Sequence, residues 1–216
     1  MNDFKAVIFD MDGVIIDSEP IHIKAKLATL KDFGINETEK DINMEYYMGR
    51  NSFEFYDDVL KRHPEVQADH ATMARHKHKL YVEMLENDPS IKAIKGFPEL
   101  LARLKAKGYI MGIGSSSSLA MINMVVDRFG IRDYFAKLTS GEEVPQTKPD
   151  PAIYLLAAKR LGVAPEDCIV VEDANAGVQA AKAAGMYCIA YRNPNSGNQD
   201  LSLADRIINS YDELQP

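Results

Sequence analysis

The stretch Ala6-Val7-Ile8-Phe9-Asp10-Met11-Asp12-Gly13-Val14 decides the fold, because it places an uninterrupted apolar run directly before two carboxylates and a glycine. Such a run is typical of a central parallel strand in a sheet that helices cover on both faces. Ligands of these sheets bind beyond the carboxyl ends of the strands, where Asp10 and Asp12 would emerge. Neighbouring carboxylates indicate a metal, acid–base chemistry or, most simply, an Asx-capped turn.

Composition and charge narrow the class of protein. The chain has 216 residues, of which 46% are hydrophobic, enough for one large domain or one and a half. Its net charge of −7 argues against nucleic acid and anionic membrane surfaces as partners. We expect no signal peptide and no transmembrane segment, and therefore a cytoplasmic protein. Cys168 and Cys188 stand singly in apolar segments and are expected to be buried thiols.

The rest of the chain predicts an alternating α/β pattern that is interrupted by one helical insertion. Pro20 to Phe33 is predicted to be a helix, and Asn36 to Glu39 matches a capping box for a second helix. Helical periodicity then continues from Asp41 to Leu85. After Pro98, strands alternate with helices, which indicates a parallel sheet with right-handed crossovers. We therefore predict an α/β, Rossmann-like parallel sheet with helices on both faces, formed by residues 1–16 and 94–216, and an all-helical cap domain formed by residues 17–93. The later strands are expected at 109–114, 137–139, 168–171, 186–191 and 206–208.

Polar residues follow two of the later strands in positions suited to a phosphate. Ser115-Ser116-Ser117-Ser118 lies between a strand and a helix, where hydroxyls and free N–H groups can bind an anion. N-capping serines are an equally simple interpretation. Lys148 precedes Pro149, which favours an extended backbone and a stiff loop. Lys148 is thus either a phosphate partner beside the carboxylates or a solvated surface lysine.

Glu172 and Asp173 form a second acidic pair, at the end of the strand Cys168 to Val171. Like charges at the end of a buried strand cost stability unless a cation joins them. Together with Asp10 and Asp12, the pair forms a set of hard oxygen ligands of the kind that Mg²⁺ prefers.

These segments, taken in order, resemble the four motifs of the haloacid dehalogenase-like hydrolases: Asp10-Met11-Asp12-Gly13-Val14, Ser115, Lys148-Pro149 and Glu172-Asp173. The helical insertion resembles the C1-type cap of the β-phosphoglucomutase and phosphoglycolate phosphatase branch. The resemblance covers nearly the whole chain. It implies a Mg²⁺-dependent phosphatase that acts on a small phosphorylated metabolite, such as a sugar phosphate, through an aspartyl-phosphate intermediate.

The resemblance also implies a role for each motif residue. Asp10 would be the nucleophile and Asp12 the general acid and base, while Ser115 and Lys148 would hold the phosphoryl group. The metal ligands would be Asp10, the Asp12 carbonyl and Asp173, with Glu172 in support. Substrate contacts are expected from Ser116 and Ser117 and, in the cap, from Glu19, His22, Arg50 and Lys77. A solvated helical face is the alternative interpretation of His22 and Lys77.

Three other functions compete with this prediction. A β-phosphoglucomutase is the main alternative, because Ser18, His22 and Lys77 resemble cap-linked residues of that enzyme. Ser52 stands where its phosphate-gripping arginine is expected, which favours hydrolysis, although Arg50 lies two residues earlier. A phospho-acceptor switch would be a shorter single domain without a helical insertion. Dehalogenation needs no metal and would not be expected to keep an acid at position 12 or the acidic pair Glu172 and Asp173. A monomer or weak homodimer is expected.

Overall fold

A computed structural model describes residues 4–47 and 52–214 of the chain. The chain divides into two compact units. Met1–Asp17 and Lys92–Pro216 together form the first, here called the α/β unit, and Ser18–Ile91 forms the second, the helical unit. Within the described ranges, no helix is both long enough and apolar enough to cross a membrane.

The α/β unit contains a six-stranded, fully parallel sheet with the strand order β3-β2-β1-β4-β5-β6. Its strands are β1 Ala6–Phe9, β2 Ile110–Ser115, β3 Lys137–Ser140, β4 Cys168–Glu172, β5 Tyr187–Tyr191 and β6 Arg206–Ile208. The opening apolar run is thus a central strand, and the sheet confirms the predicted Rossmann-like fold class.

Helices cover both faces of this sheet, which explains why all four residues of β1 are buried. They are α4 Phe97–Ala106, α5 Leu119–Arg128, α6 Ala152–Leu161 and α7 Asn175–Ala183. Successive side chains of a strand point to opposite faces. Ile8 accordingly packs in one core cluster with Tyr154 of α6 and Val178 of α7. On the other face, Phe9 meets Phe97 of α4 edge-on, with ring centroids 5.1 Å apart.

The strand register brings polar residues to one edge of the sheet. Phe9, the last residue of β1, pairs with Ile113 of β2 and Val171 of β4. Asp10 therefore leaves β1 beside the ends of β2 and β4, where Ser115 and Glu172 lie. Because parallel strands end at the same edge, residues far apart in sequence meet there.

The helical unit is built from α1 Glu19–Asp32, α2 Ser52–Arg62 and α3 His70–Asn87, with a short 3₁₀ turn at Met44–Tyr47. Its core is aromatic and aliphatic and includes Leu30, Tyr47, Phe55, Tyr56 and Met73. Asp69 caps α3, since its side chain accepts a hydrogen bond from the Thr72 backbone N–H at 2.6 Å.

The capping box expected at Asn36 to Glu39 is wrong, because no helix begins there. The Thr38 hydroxyl and backbone N–H both donate to Asp41 Oδ2, at 2.7 and 2.8 Å. A local side-chain bond of this kind offers the backbone an alternative to the helix. The cysteines meet expectation: Cys168 and Cys188 are both free and buried.

The position of β1 predicts a large difference between two isoleucine truncations. Ile8→Ala empties a site in the centre of the core and should lower the free energy of unfolding by about 2–5 kcal/mol. Ile110→Ala, at a β2 residue that is 40% exposed, should cost less than about 1 kcal/mol. Urea unfolding of both variants measures the difference, and equal losses would contradict the central placement of β1.

Candidate active site

Lys148 and two carboxylates form the centre of a cluster at the edge of the sheet. The Lys148 Nζ lies 2.6 Å from Asp10 Oδ1 and 2.6 Å from Glu172 Oε1. Asp10, Glu172 and Asp173 are all buried, and only 9% of the Lys148 side chain is exposed. Lys148 is therefore held beside the carboxylates and does not lie on a solvated surface.

Glu172 is held by protein donors on both of its carboxylate oxygens. Oε1 accepts from Lys148 and from the Tyr154 hydroxyl, the latter at 2.6 Å. Oε2 accepts from the backbone N–H groups of Asp173 and Ala174, at 2.9 and 3.2 Å. A Cβ at position 177 would overlap this carboxylate, so α7 carries Gly177 where it passes Glu172. Glu172 thus anchors the lysine.

The charges within the cluster do not balance. Oxygens of Asp10, Glu172 and Asp173 lie within 4.8 Å of one another. Burial raises the pKa of Asp10 to about 7, although Lys148 opposes the shift. Burial and then the charges of Glu172 and Asp10 raise the pKa of Asp173 well above its ordinary value. One buried ammonium faces three buried carboxylates, and this set of hard oxygen donors fits a divalent cation.

Lys148 itself remains charged in this environment. Burial would lower its pKa, but the carboxylates of Asp10 and Glu172 outweigh that effect and raise the pKa above the ordinary value for lysine. The Lys148 Nζ also lies 4.9 Å from the centre of the Tyr154 ring, where a cation is attracted to the aromatic face. The cluster therefore contains a permanent cation beside Asp10.

The serine loop, residues 115–118, lies beside Asp12. The Ser117 hydroxyl donates to Asp12 Oδ2 at 2.8 Å, and the Ser117 N–H donates to the hydroxyl of the buried Ser115 at 3.1 Å. Ser118 caps α5 through the Met121 N–H, as the simpler interpretation of the serines expected. Ser116 is exposed.

Asp12 is half-buried and lies beside the serine loop. Among the described residues, its carboxylate is not part of the metal-type group formed by Asp10, Glu172 and Asp173. Asp12 nevertheless lies near Asp10, because its charge contributes to the raised pKa of Asp10.

The predicted substrate residues of the cap belong to the helical unit, except that Arg50 lies outside the described residues. His22 Nδ1 is 3.0 Å from Lys77 Nζ, and the His22 ring stacks on Tyr81 with centroids 4.1 Å apart. Lys77 is buried, so the solvated-face interpretation does not describe it. Burial and the Lys77 charge hold the pKa of His22 well below its usual range, which leaves the ring neutral. Glu19 lies 3.9 Å from the Lys26 Nζ.

Three contacts of the site were not predicted, those of Tyr154, Asn193 and Ser196. Tyr154 carries no motif signal, and only its hydroxyl on an otherwise apolar face of α6 could have drawn attention. In the polar segment 193–198, Asn193 is buried and donates to the Gly13 carbonyl at 3.0 Å. Ser196 of the same segment donates to Asp173 Oδ2. Its place after β5, at the carboxyl edge of the sheet, was the available signal.

The fold and this cluster define a Rossmann-like α/β protein with an acidic, metal-type site at the carboxyl edge of its sheet. The family model described as haloacid dehalogenase-like hydrolase matches residues 7–191, and the chain belongs to this family. The match confirms the resemblance that the four motifs indicated.

Three of the similar proteins match nearly the whole length of this chain. Hexitol phosphatase B of Escherichia coli is 32% identical over 210 residues, which cover 97% of this chain and 93% of the relative. CbbY of Rhodobacter sphaeroides, solved in complex with phosphate, superposes with a TM-score of 0.79 at 25% identity, covering 97% of this chain and 96% of that one. A β-phosphoglucomutase of Clostridium difficile gives a TM-score of 0.72 at 29% identity, covering 98% and 93%.

The hydrogen bonds of two buried tyrosines predict how much the contact between Tyr154 and Glu172 contributes to the free energy of unfolding. The hydroxyls of Tyr154 and Tyr211 each make a 2.6 Å hydrogen bond, to the Glu172 carboxylate and to the Val14 carbonyl respectively. Tyr154→Phe should lower the free energy of unfolding by about 1.5–3 kcal/mol and the control Tyr211→Phe by about 1 kcal/mol, because bonds to charged groups are stronger. Denaturant unfolding in the absence of added metal compares them. A loss in Tyr154→Phe no larger than in the control would contradict a strong hydrogen bond from Tyr154 to the Glu172 carboxylate.

Proposed function

We propose that this chain is a Mg²⁺-dependent phosphatase that hydrolyses a small phosphorylated metabolite of the sugar-phosphate class. The observation that carries the proposal is the Lys148 ammonium held between Asp10 and Glu172, with Asp173 in the same acidic group. The similarity to hexitol phosphatase B and to CbbY in complex with phosphate supports the same reaction and substrate class.

The proposed metal site consists of oxygen ligands. Asp10, Asp173 and the Asp12 carbonyl would hold Mg²⁺, and Glu172, whose oxygens already accept four hydrogen bonds, would support the site. When bound, Mg²⁺ supplies positive charge at the transferring phosphoryl oxygens.

Lys148 would reduce the repulsion between the Asp10 carboxylate and the phosphate of the substrate. A carboxylate that approaches a phosphate dianion meets repulsion of about 4 kcal/mol per pair of unit charges at about 4 Å, for an effective dielectric near about 20. The ammonium 2.6 Å from Asp10 supplies charge of the opposite sign at that point. Ser115, Ser116 and Ser117 would bind the phosphoryl group in the serine loop.

Asp10 and Asp12 would divide the chemistry between them. In the first step an Asp10 oxygen bonds to phosphorus while the bond from phosphorus to the alcohol oxygen breaks, and Asp12 gives its proton to that oxygen. In the second step water attacks the aspartyl phosphate and gives a proton to Asp12. Inorganic phosphate leaves and the Asp10 carboxylate is regenerated.

The helical unit is proposed as the cap domain that selects the substrate. Its Lys77 offers a cation and its neutral His22 offers hydrogen bonds, a combination suited to a phosphorylated polyol or sugar. Glu19 and Arg50 complete the proposed set. A cap would also exclude bulk water from the reacting groups.

A β-phosphoglucomutase is the second candidate, and the similarity to the Clostridium difficile enzyme favours it. The two functions differ in product. A phosphatase releases inorganic phosphate, whereas a mutase returns the phosphoryl group to the sugar.

The nucleophile assignment predicts the effect of one isosteric substitution. A screen of sugar phosphates, polyol phosphates, phosphoglycolate, nucleotides and pyrophosphate should show phosphate release from a narrow group, and Asp10→Asn should lower kcat by at least about a thousandfold. Asp200→Asn, at an exposed residue, is the control and should leave kcat unchanged. Full activity of Asp10→Asn would remove Asp10 from this role. Isomerisation of β-glucose 1-phosphate without phosphate release would identify a mutase.

The metal assignment predicts a reversible loss of activity. EDTA should stop phosphate release, because the buried carboxylates then lack their counter-charge, and added Mg²⁺ should restore it. Initial rates measured across a Mg²⁺ titration test this, with circular dichroism to confirm that the fold survives chelation. Undiminished turnover in EDTA would refute the Mg²⁺ requirement.

A further inference from the structure

The loop between β5 and β6 is built into the acidic site, and its residues 193–199 are here called the asparagine loop. Asn193 is only 5% exposed. Its side chain donates to the Gly13 carbonyl at 3.0 Å and accepts from the Asn195 backbone N–H at 2.8 Å. A buried amide that is hydrogen-bonded at both ends fixes the loop against the segment that follows β1.

Ser196 of the asparagine loop reaches Asp173 directly. Its hydroxyl donates to Asp173 Oδ2. The same carboxylate lies against Gly13, where the backbone φ is +74° and where a Cβ would overlap it. Asp173 is therefore held between a hydroxyl on one side and a glycine backbone on the other, so the rotation of its carboxyl group is restricted.

Gln199 fixes the position of Ser196. The Gln199 side chain donates to the Ser196 carbonyl at 2.9 Å and accepts from the Asn175 N–H at 3.0 Å. Asn175 is the first residue of α7, the helix that follows Asp173. Ser196 is thus tied to the same helix start as the carboxylate that it contacts, and the two cannot move apart independently.

We propose that Ser196 is a positioning residue of the metal site, which orients the Asp173 carboxylate for a divalent cation. The inference rests on the proposed metal-dependent function and extends it to a residue 23 positions beyond the acidic pair. Outer hydrogen bonds to ligating carboxylates set the direction of their lone pairs, and their loss commonly weakens metal binding by about 10–100-fold.

Mg²⁺ binding by the metal-free full-length chain tests the proposal without any substrate. Isothermal titration with MgCl₂ should show a Kd at least about tenfold weaker in Ser196→Ala than in the unsubstituted chain. Ser196→Thr keeps a hydroxyl at a partly exposed position and should restore most of the affinity. Ser202→Ala, at an exposed serine between the asparagine loop and β6, is the matched control and should leave the Kd unchanged.

The outcomes separate this inference from the proposed function. An unchanged Kd in Ser196→Ala overturns the positioning role, even if the chain releases phosphate. A weakened Kd that Ser196→Thr restores supports the role, even if no phosphate ester is hydrolysed. Failure of the unsubstituted chain to bind Mg²⁺ overturns both. Equal thermal unfolding temperatures of the serine variants would show that the change in affinity is not a loss of fold.

Discussion

The Lys148 ammonium makes it possible to bury carboxylates at the end of a hydrophobic sheet. Burying an isolated charge in such a place costs roughly several kcal/mol. The fold offsets this desolvation cost through specific contacts. Lys148 joins Asp10 to Glu172. Tyr154 and backbone N–H groups donate the remaining hydrogen bonds to the Glu172 carboxylate. The two glycines that face the carboxylates leave the room that this arrangement requires.

The three buried carboxylates of Asp10, Glu172 and Asp173 outnumber the single Lys148 ammonium, and this excess of acidic groups suits the binding of a cation. Opposing effects of burial and Lys148 leave the pKa of Asp10 at about 7, so this carboxylate is far from the condition of an ordinary surface aspartate. Sites that bind divalent cations are assembled in this way, since the cation supplies the missing charge and the protein supplies a rigid set of oxygens. Buried hydrogen bonds beyond the carboxylates then determine how rigid that set is.

The sequence contained most of the fold and the centre of the site, for a physical reason. A strand that is buried on both faces has to be apolar throughout, so β1 and β4 could be predicted. Parallel strands bring the residues that follow them to one edge of the sheet, so Asp10, Lys148 and Asp173 were expected to lie together there. Tyr154 and Ser196 were missed because neither belongs to a sequence motif, so their contacts with Glu172 and Asp173 become apparent only in the folded chain. The false capping box failed because the Thr38–Asp41 bond competes locally with helix formation.

The strand order also affects how the chain folds as it is synthesised. β1 leaves the ribosome first, yet Ala6 pairs with Ile110 and Cys168, which are made much later. The helical unit is one continuous segment that is complete at Ile91, whereas β1 has no neighbouring strand until β2 and then β4 have been made. Long-range parallel pairing of this kind is slow and prone to aggregation. A newly made chain therefore contains its central strand long before the two strands that will flank it.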